Sequence, residues 1–258
     1  MRDFLEDAEK HRDDGYGRAQ AHAGQNLPKR FYKKTGAAQV AGGYAVTLDG
    51  RPTRTPGRKP VIVPFAELAT ALADEWAAQS ELIDPDTMPL VRLVNAAIEG
   101  GEEQLAELRR EVIKYAGNDL LLYRADTPQE LVVEQERLWD EALVRIARHF
   151  SVSFRPTVGI VHQAQSESSL AKLADGLREE SLLALAALVS ITSITGSGLL
   201  AIALRHRLLT PDEVWEAAQV DEDYNVRLWG AVEEATLRRE KRRREFDAAV
   251  MLLAMLKP

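Results

Sequence analysis

The chain has 258 residues, 45% hydrophobic and 28% charged, an ordinary globular balance with enough length for one large or two modest cores. A formal charge of −7 argues against nucleic acid as a general partner, because phosphate binding needs a dominant basic surface. The absence of cysteine excludes disulfides, thiolate nucleophiles and cysteine-based metal sites.

The opening stretch, MRDFLEDAEKHRDDGYGRAQAHAGQ, has no apolar core of the secretory kind. Its acids, Asp3, Glu6, Asp7, Glu9, Asp13 and Asp14, are unlike a mitochondrial presequence. Residues 1–27 read as a polar tail with a frayed helix around Phe4 and Leu5. From Pro28 to Pro64, short alternating runs are broken by Gly42-Gly43, Asp49-Gly50 and Pro56-Gly57. This predicts a small antiparallel meander with Tyr44, Val46 and Leu48 on one face. After Pro64 the spacing turns helical through Leu68, Leu72, Trp76 and Gln79. That helix is expected to cross the sheet and bury Leu68, Leu72 and Trp76, completing a small α+β unit over residues 28–88.

Residues 89–258 read as a larger, all-helical domain. Helices are predicted at Leu90–Ile98 and Glu103–Ala116, the second stopped by Gly117-Asn118. Asp119–Arg124 reads as strand or extended loop, and Pro128 as the first-turn residue of a helix carrying Leu131, Gln135, Trp139 and Leu143 towards His149. Residues 151–163 are irregular, and a helix from about Glu167 leads into Leu182–Leu204, a run without a charged residue. Such a run can span a bilayer, or it can be a central helix buried on every face. Its middle, Ser190 to Gly198, is small and lightly polar, so hydroxyls can bond back to the backbone and glycines admit close neighbours. We therefore expect a buried hub at 182–204 with the other helices packed around it, and no membrane span. Thr210-Pro211-Asp212-Glu213 starts a helix that reaches about Trp229, Gly230 interrupts it, and Val232–Leu256 forms the last helix.

Chemical signatures are mostly missing. Gly196-Ser197-Gly198 lacks the lysine of a phosphate loop and reads as close helix packing. The histidines, at 11, 22, 149, 162 and 206, offer no pair at ligand spacing; His206, between Arg205 and Arg207, reads as a helix-end cation. Nothing near His162 resembles a nucleophile elbow. No catalytic, cofactor or metal site follows. The carboxylates Asp221, Glu222 and Asp223 admit three readings: a solvated face, an acid–base pair, or part of a contact surface. Glu222, Val226, Trp229, Glu233, Leu237 and Glu240 are three or four apart, so a continuous or gently kinked helix would align them. On that reading Trp229 anchors an acid–aromatic contact stripe. The basic block from Arg238 to Arg244 is expected to pair with acids one turn away, as Glu240 with Arg244.

A set of landmarks recurs in one order: Arg30-Phe31-Tyr32; Gly42-Gly43-Tyr44; Leu48-Asp49-Gly50-Arg51; Arg54-Thr55-Pro56; Glu75-Trp76 with Gln79. It continues with Thr87-Met88-Pro89-Leu90, Asn95, Asp119-Leu120, Tyr123-Arg124, Gln135, Trp139-Asp140, Asp221–Tyr224 and Trp229-Gly230. From about residue 28 onward the chain resembles the assembly chaperones that bind the alpha subunit of the ATP synthase F1 sector. The resemblance implies a non-enzymatic chaperone without a cofactor, which holds the new alpha subunit until it meets the beta subunit. It also implies an N-terminal β-containing domain and a larger helical domain, and here a bacterial, cytoplasmic, monomeric member without a transit peptide. Glu222, Trp229, Glu233 and Glu240, with the surface near Trp76, are then the expected partner contacts, although Trp76 also suits a core position. Two rival classes rest on single features. One is a membrane-anchored adaptor spanning the bilayer with 182–204; the other is a small-molecule enzyme built on the Asp221–Asp223 carboxylates.

Overall fold

The computed structural model describes residues 27–256; the helix expected around Phe4 and Leu5 lies outside them. Strands β1 (Thr35–Val40) and β2 (Gly43–Leu48) form an antiparallel hairpin, Thr35 opposite Leu48 and Val40 opposite Gly43. The Asp49-Gly50 turn, with φ of 48° and 78°, then reverses the chain into β3 (Arg51–Pro52). Strand β4 (Ile62–Val63) pairs with the other end of β2, so β2 is central and β1 is an edge. The Asp49 carboxylate accepts the backbone N–H groups of Lys34 and Lys33 at 2.8 and 3.0 Å. Those bonds hold its pKa below the usual carboxylate range and tie the turn to the start of β1.

Helix α1 (Ala66–Ala77) crosses the sheet and buries Leu68 and Leu72 completely. Trp76 does not follow them; it is half-buried at the end of the sheet, where its carbonyl accepts the Tyr32 hydroxyl at 2.7 Å. Glu75 joins this unit to the helices. Its carboxylate accepts the N–H groups of Leu90 and Val91, at 2.9 and 2.7 Å, and so satisfies the open first turn of α2 (Pro89–Gly100).

The helical part continues with α3 (Leu105–Gly117), a 3-10 turn at Leu120–Leu122, and β5 (Tyr123–Arg124), which pairs in parallel with β6 (Thr157–Val158). Pro128 caps α4 (Gln129–Gln135) instead of entering its first turn, and a π-helical segment, Glu136–Asp140, carries the chain into α5 (Glu141–Phe150). Helix α6 (Glu167–Asp175) ends before the apolar run, which Ser181 caps separately. The α+β class and the order of the two parts are as the sequence predicts.

The apolar run is the hub, but it is two helices. Helix α7 (Leu182–Thr195) packs against α2, α3 and the three helices that follow it, with Ala184, Leu185, Ala187, Leu188 and Ile191 fully buried. Gly196, at φ 71°, ends it in the left-handed conformation, and Ser197 caps α8 (Gly198–Arg205) through the Leu200 N–H. The break is held from outside by Asp119. This fully buried carboxylate accepts the Ser197 hydroxyl at 2.6 Å, the Leu199 N–H at 2.9 Å and the Leu121 N–H at 3.2 Å. Burial raises its pKa to about 7, against the hydrogen bonds that lower it. A Cβ at Gly198 would fall on the Val112 carbonyl and the Ala116 nitrogen, so glycine permits this close approach to α3. The Thr195 hydroxyl bonds back to the Ile191 carbonyl at 2.8 Å. Among the described residues no helix is long and apolar enough to cross a membrane, which overturns the span reading of 182–204.

Candidate functional site

Helices α9 (Pro211–Trp229) and α10 (Glu233–Met255) form the last hairpin. Helix α9 starts on a full capping box: Thr210 accepts the Glu213 N–H, and Glu213 accepts the Thr210 N–H at 2.7 Å. Its first half is core, with Val214, Trp215, Ala217 and Val220 buried. After Val220 the helix leaves the core. Gln135 donates to Asp221 at 2.7 Å, Arg227 pairs with Glu134, and the Arg227 guanidinium lies 5.5 Å from the Tyr224 ring centre. These ties steady the protruding end without burying it.

At Gly230, φ 83° stops α9 and the chain turns back. Asp223 pairs with Arg239, while Trp215, eight residues earlier, meets Phe246, seven residues later, so the two helices run antiparallel. The expected continuous or gently kinked helix through Glu222, Trp229, Glu233 and Glu240 therefore does not form. Leu228, Trp229, Val232 and Leu237 are instead left exposed on either side of the turn, with Trp229 82% accessible. Glu233 and Glu240 are exposed on α10, while Glu222 is half-buried on α9, close enough to Arg239 to raise its pKa. Leu228 and Val232 were missed by the spacing argument; the signal for them is the apolar run flanking Gly230.

Trp76 belongs to a second surface. It lines a cleft of about 510 Å³ with Phe31, Tyr32, Leu48, Arg51 and Arg54, to which α9 and α10 contribute nothing. Tyr32 and Trp76 meet edge-to-face at 5.7 Å, and Phe31 is 73% exposed at the mouth. The structure does not bring Trp76 and the hairpin tip into one site.

The remaining candidates disperse. Asp221 is committed to Gln135 and Asp223 to Arg239, and neither lines the Trp76 cleft or the cavities bounded by Arg145 and Pro211 and by Phe65 and His206. The convergent carboxylate pocket that an enzyme reading requires is not formed by Asp221–Asp223. The basic block pairs between helices as well as along its own. Lys241 reaches Asp86, Arg239 reaches Asp223, Arg243 spans Asp212 and Asp247, and Arg238 meets Glu234; the Glu240–Arg244 pair does not form. His206 is not a helix-end cation: burial, then the neighbouring His149, lowers its pKa and favours the neutral ring. Among the described residues no group of His, Asp or Glu is placed to hold a metal ion.

Residues 29–147 match the family profile described as ATP12 chaperone protein. The crystal structure of Atp12 from Paracoccus denitrificans superposes with a TM-score of 0.81 at 33% identity, over 89% of this chain and 98% of that one. The chain belongs to the ATP12 chaperone family. A crystal structure from Agrobacterium tumefaciens is similar at 40% identity and a TM-score of 0.85, over 90% of this chain and 87% of that one. The mitochondrial protein atp12 of Schizosaccharomyces pombe is 24% identical over 219 residues, 80% of this chain and 75% of that protein. These matches extend the likeness well beyond the profile, through the helical part that carries the α9–α10 hairpin.

Proposed function

We propose that this member of an ATP synthase assembly chaperone family binds the unassembled F1 alpha subunit and covers its interface until the beta subunit takes over. It acts as a monomer and by binding alone, without catalysis. An unassembled subunit exposes apolar surface that would otherwise self-associate. The single observation that carries the reading is the α9–α10 turn, which leaves Trp229 and three aliphatic side chains exposed on helices that also carry the exposed carboxylates Glu233 and Glu240. An aromatic anchor with a charged rim is the usual anatomy of a binding hot spot. The Trp76 cleft is the second proposed contact. Co-purification with separately expressed alpha and beta subunits tests the role: alpha is retained and beta is not. Trp229→Ala and Glu240→Lys should each weaken capture of alpha about tenfold or more while leaving the circular dichroism spectrum unchanged. Equal capture of both subunits would sink the role, and wild-type capture by both variants would sink the tip.

A further inference from the structure

Between residues 28 and 64 the sequence holds eight Lys and Arg and a single carboxylate, Asp49. That carboxylate is already occupied by two backbone N–H groups, and none of the eight cations forms an ion pair among the described residues. The helix that crosses the sheet and the connector after it hold six carboxylates and no Lys or Arg as far as residue 88, so the cations of this unit are confined to its strands and turns.

The sheet has an open edge there. The Val46 carbonyl accepts the Thr53 N–H at 2.8 Å, on the side of β2 away from β1. Its register partner Ala37 therefore turns its own N–H and C=O outward, and alternation does the same at Thr35 and Gln39. Among the described residues these three form no hydrogen bond on the outward side, and Ala37, Ala38 and Gln39 are exposed. Natural sheets usually guard such an edge with charge, proline or a bulge. Strand β1 reads Thr-Gly-Ala-Ala-Gln-Val and has none of these.

We propose that β1 is a docking edge for an extended segment of a protein partner, which adds to the sheet as a further strand. The edge runs about 20 Å and takes roughly six residues. Small side chains on both faces leave the backbone accessible, while Lys33 and Lys34 at its start select a segment with acids beyond the paired stretch. A second copy would bring to this edge the same Lys33 and Lys34 and a strand without a carboxylate, so an acid-bearing client segment is the occupant. The inference rests on the client-holding role above only for the choice of the natural probe.

The test is hydrogen exchange on the full chain with two probes. One is the separately produced F1 alpha subunit; the other is a synthetic Thr/Val strand peptide ending in Glu-Glu, compared with its Lys-Lys twin. The expected result is at least tenfold slower exchange of the Thr35, Ala37 and Gln39 amides with alpha and with the Glu-ended peptide, and none with the Lys-ended one. Ala37→Pro removes the outward N–H and should weaken both about tenfold. Capture of alpha without protection of these amides overturns the inference and leaves the proposed function standing. Protection by the Glu-ended peptide without capture of alpha does the reverse. Protection that rises with the protein's own concentration, together with a dimer on sizing, assigns the edge to a second copy and overturns it.

Discussion

Asp119 gives the sharpest check on how the hub is held. Its folded pKa of about 7 lies above the usual aspartate value of 3.8 because burial disfavours the charged form. For an acid raised in this way, the stabilisation is fully present below the unfolded pKa and is lost as pH rises through the folded one. Between pH 4 and pH 8 the loss is roughly 4 kcal/mol, from about three pKa units at 1.36 kcal/mol each. Asp119→Asn keeps the shape and one acceptor but cannot titrate. The unfolding free energy of wild type minus that of the variant, from urea titrations at several pH values, should therefore fall by about 4 kcal/mol across this range. All other titrating groups cancel in that difference. The variant is also expected to be less stable than wild type at pH 5, because its NH2 group cannot accept and meets one of the Ser197 and Leu199 donors, whereas both oxygens of the protonated acid can still accept. A difference that stays flat with pH would refute the assignment of burial as the dominant cause.

Two further substitutions probe the same architecture. Gly198→Ala should cost about 2–4 kcal/mol, because the added methyl meets backbone atoms of Val112 and Ala116 that cannot rotate away; urea unfolding reads it directly. Thr210→Ala removes the hydroxyl half of the α9 capping box and should cost about 1 kcal/mol in the same assay, with the spectrum of the folded protein unchanged.

What the sequence revealed and what it concealed differ in physical range. The absence of charge from Leu182 to Leu204 revealed burial, because burial depends on composition alone. The break inside that run depends on Asp119, which is 78 residues from Ser197 along the chain, so no local spacing announces it. The helical alignment of the stripe failed for a local reason: its periodicity was carried across Gly230, whose φ of 83° ends the helix. Leu228 and Val232 lie within three residues of Trp229, yet the 3.6-residue rule excluded them from the stripe. His206 was misjudged because its flanking arginines are visible in sequence, whereas the ring contacts with His149 and Phe150 that bury it come from α5. Free strand edges are invisible for a related reason, since whether a strand has a neighbour is decided by the rest of the fold.

Of the three proposed surfaces, the α9–α10 tip and the β1 edge would divide the energetics of holding and release. The α9–α10 tip offers apolar area: burying an exposed indole contributes roughly 3–5 kcal/mol, and the aliphatic neighbours add to it. Its rim ion pairs are solvent-exposed and contribute at most about 1 kcal/mol each, so they orient more than they bind. The β1 edge offers backbone hydrogen bonds, which favour an extended segment of almost any sequence, and a basic field that speeds encounter with an acidic one. Neither surface alone reaches the affinity of a permanent subunit contact. Held together they bind a client firmly, and a competitor that displaces one weakens the other, because the second contact loses the high local concentration that the first maintained. On this reading a partner with the larger interface is enough to displace the client.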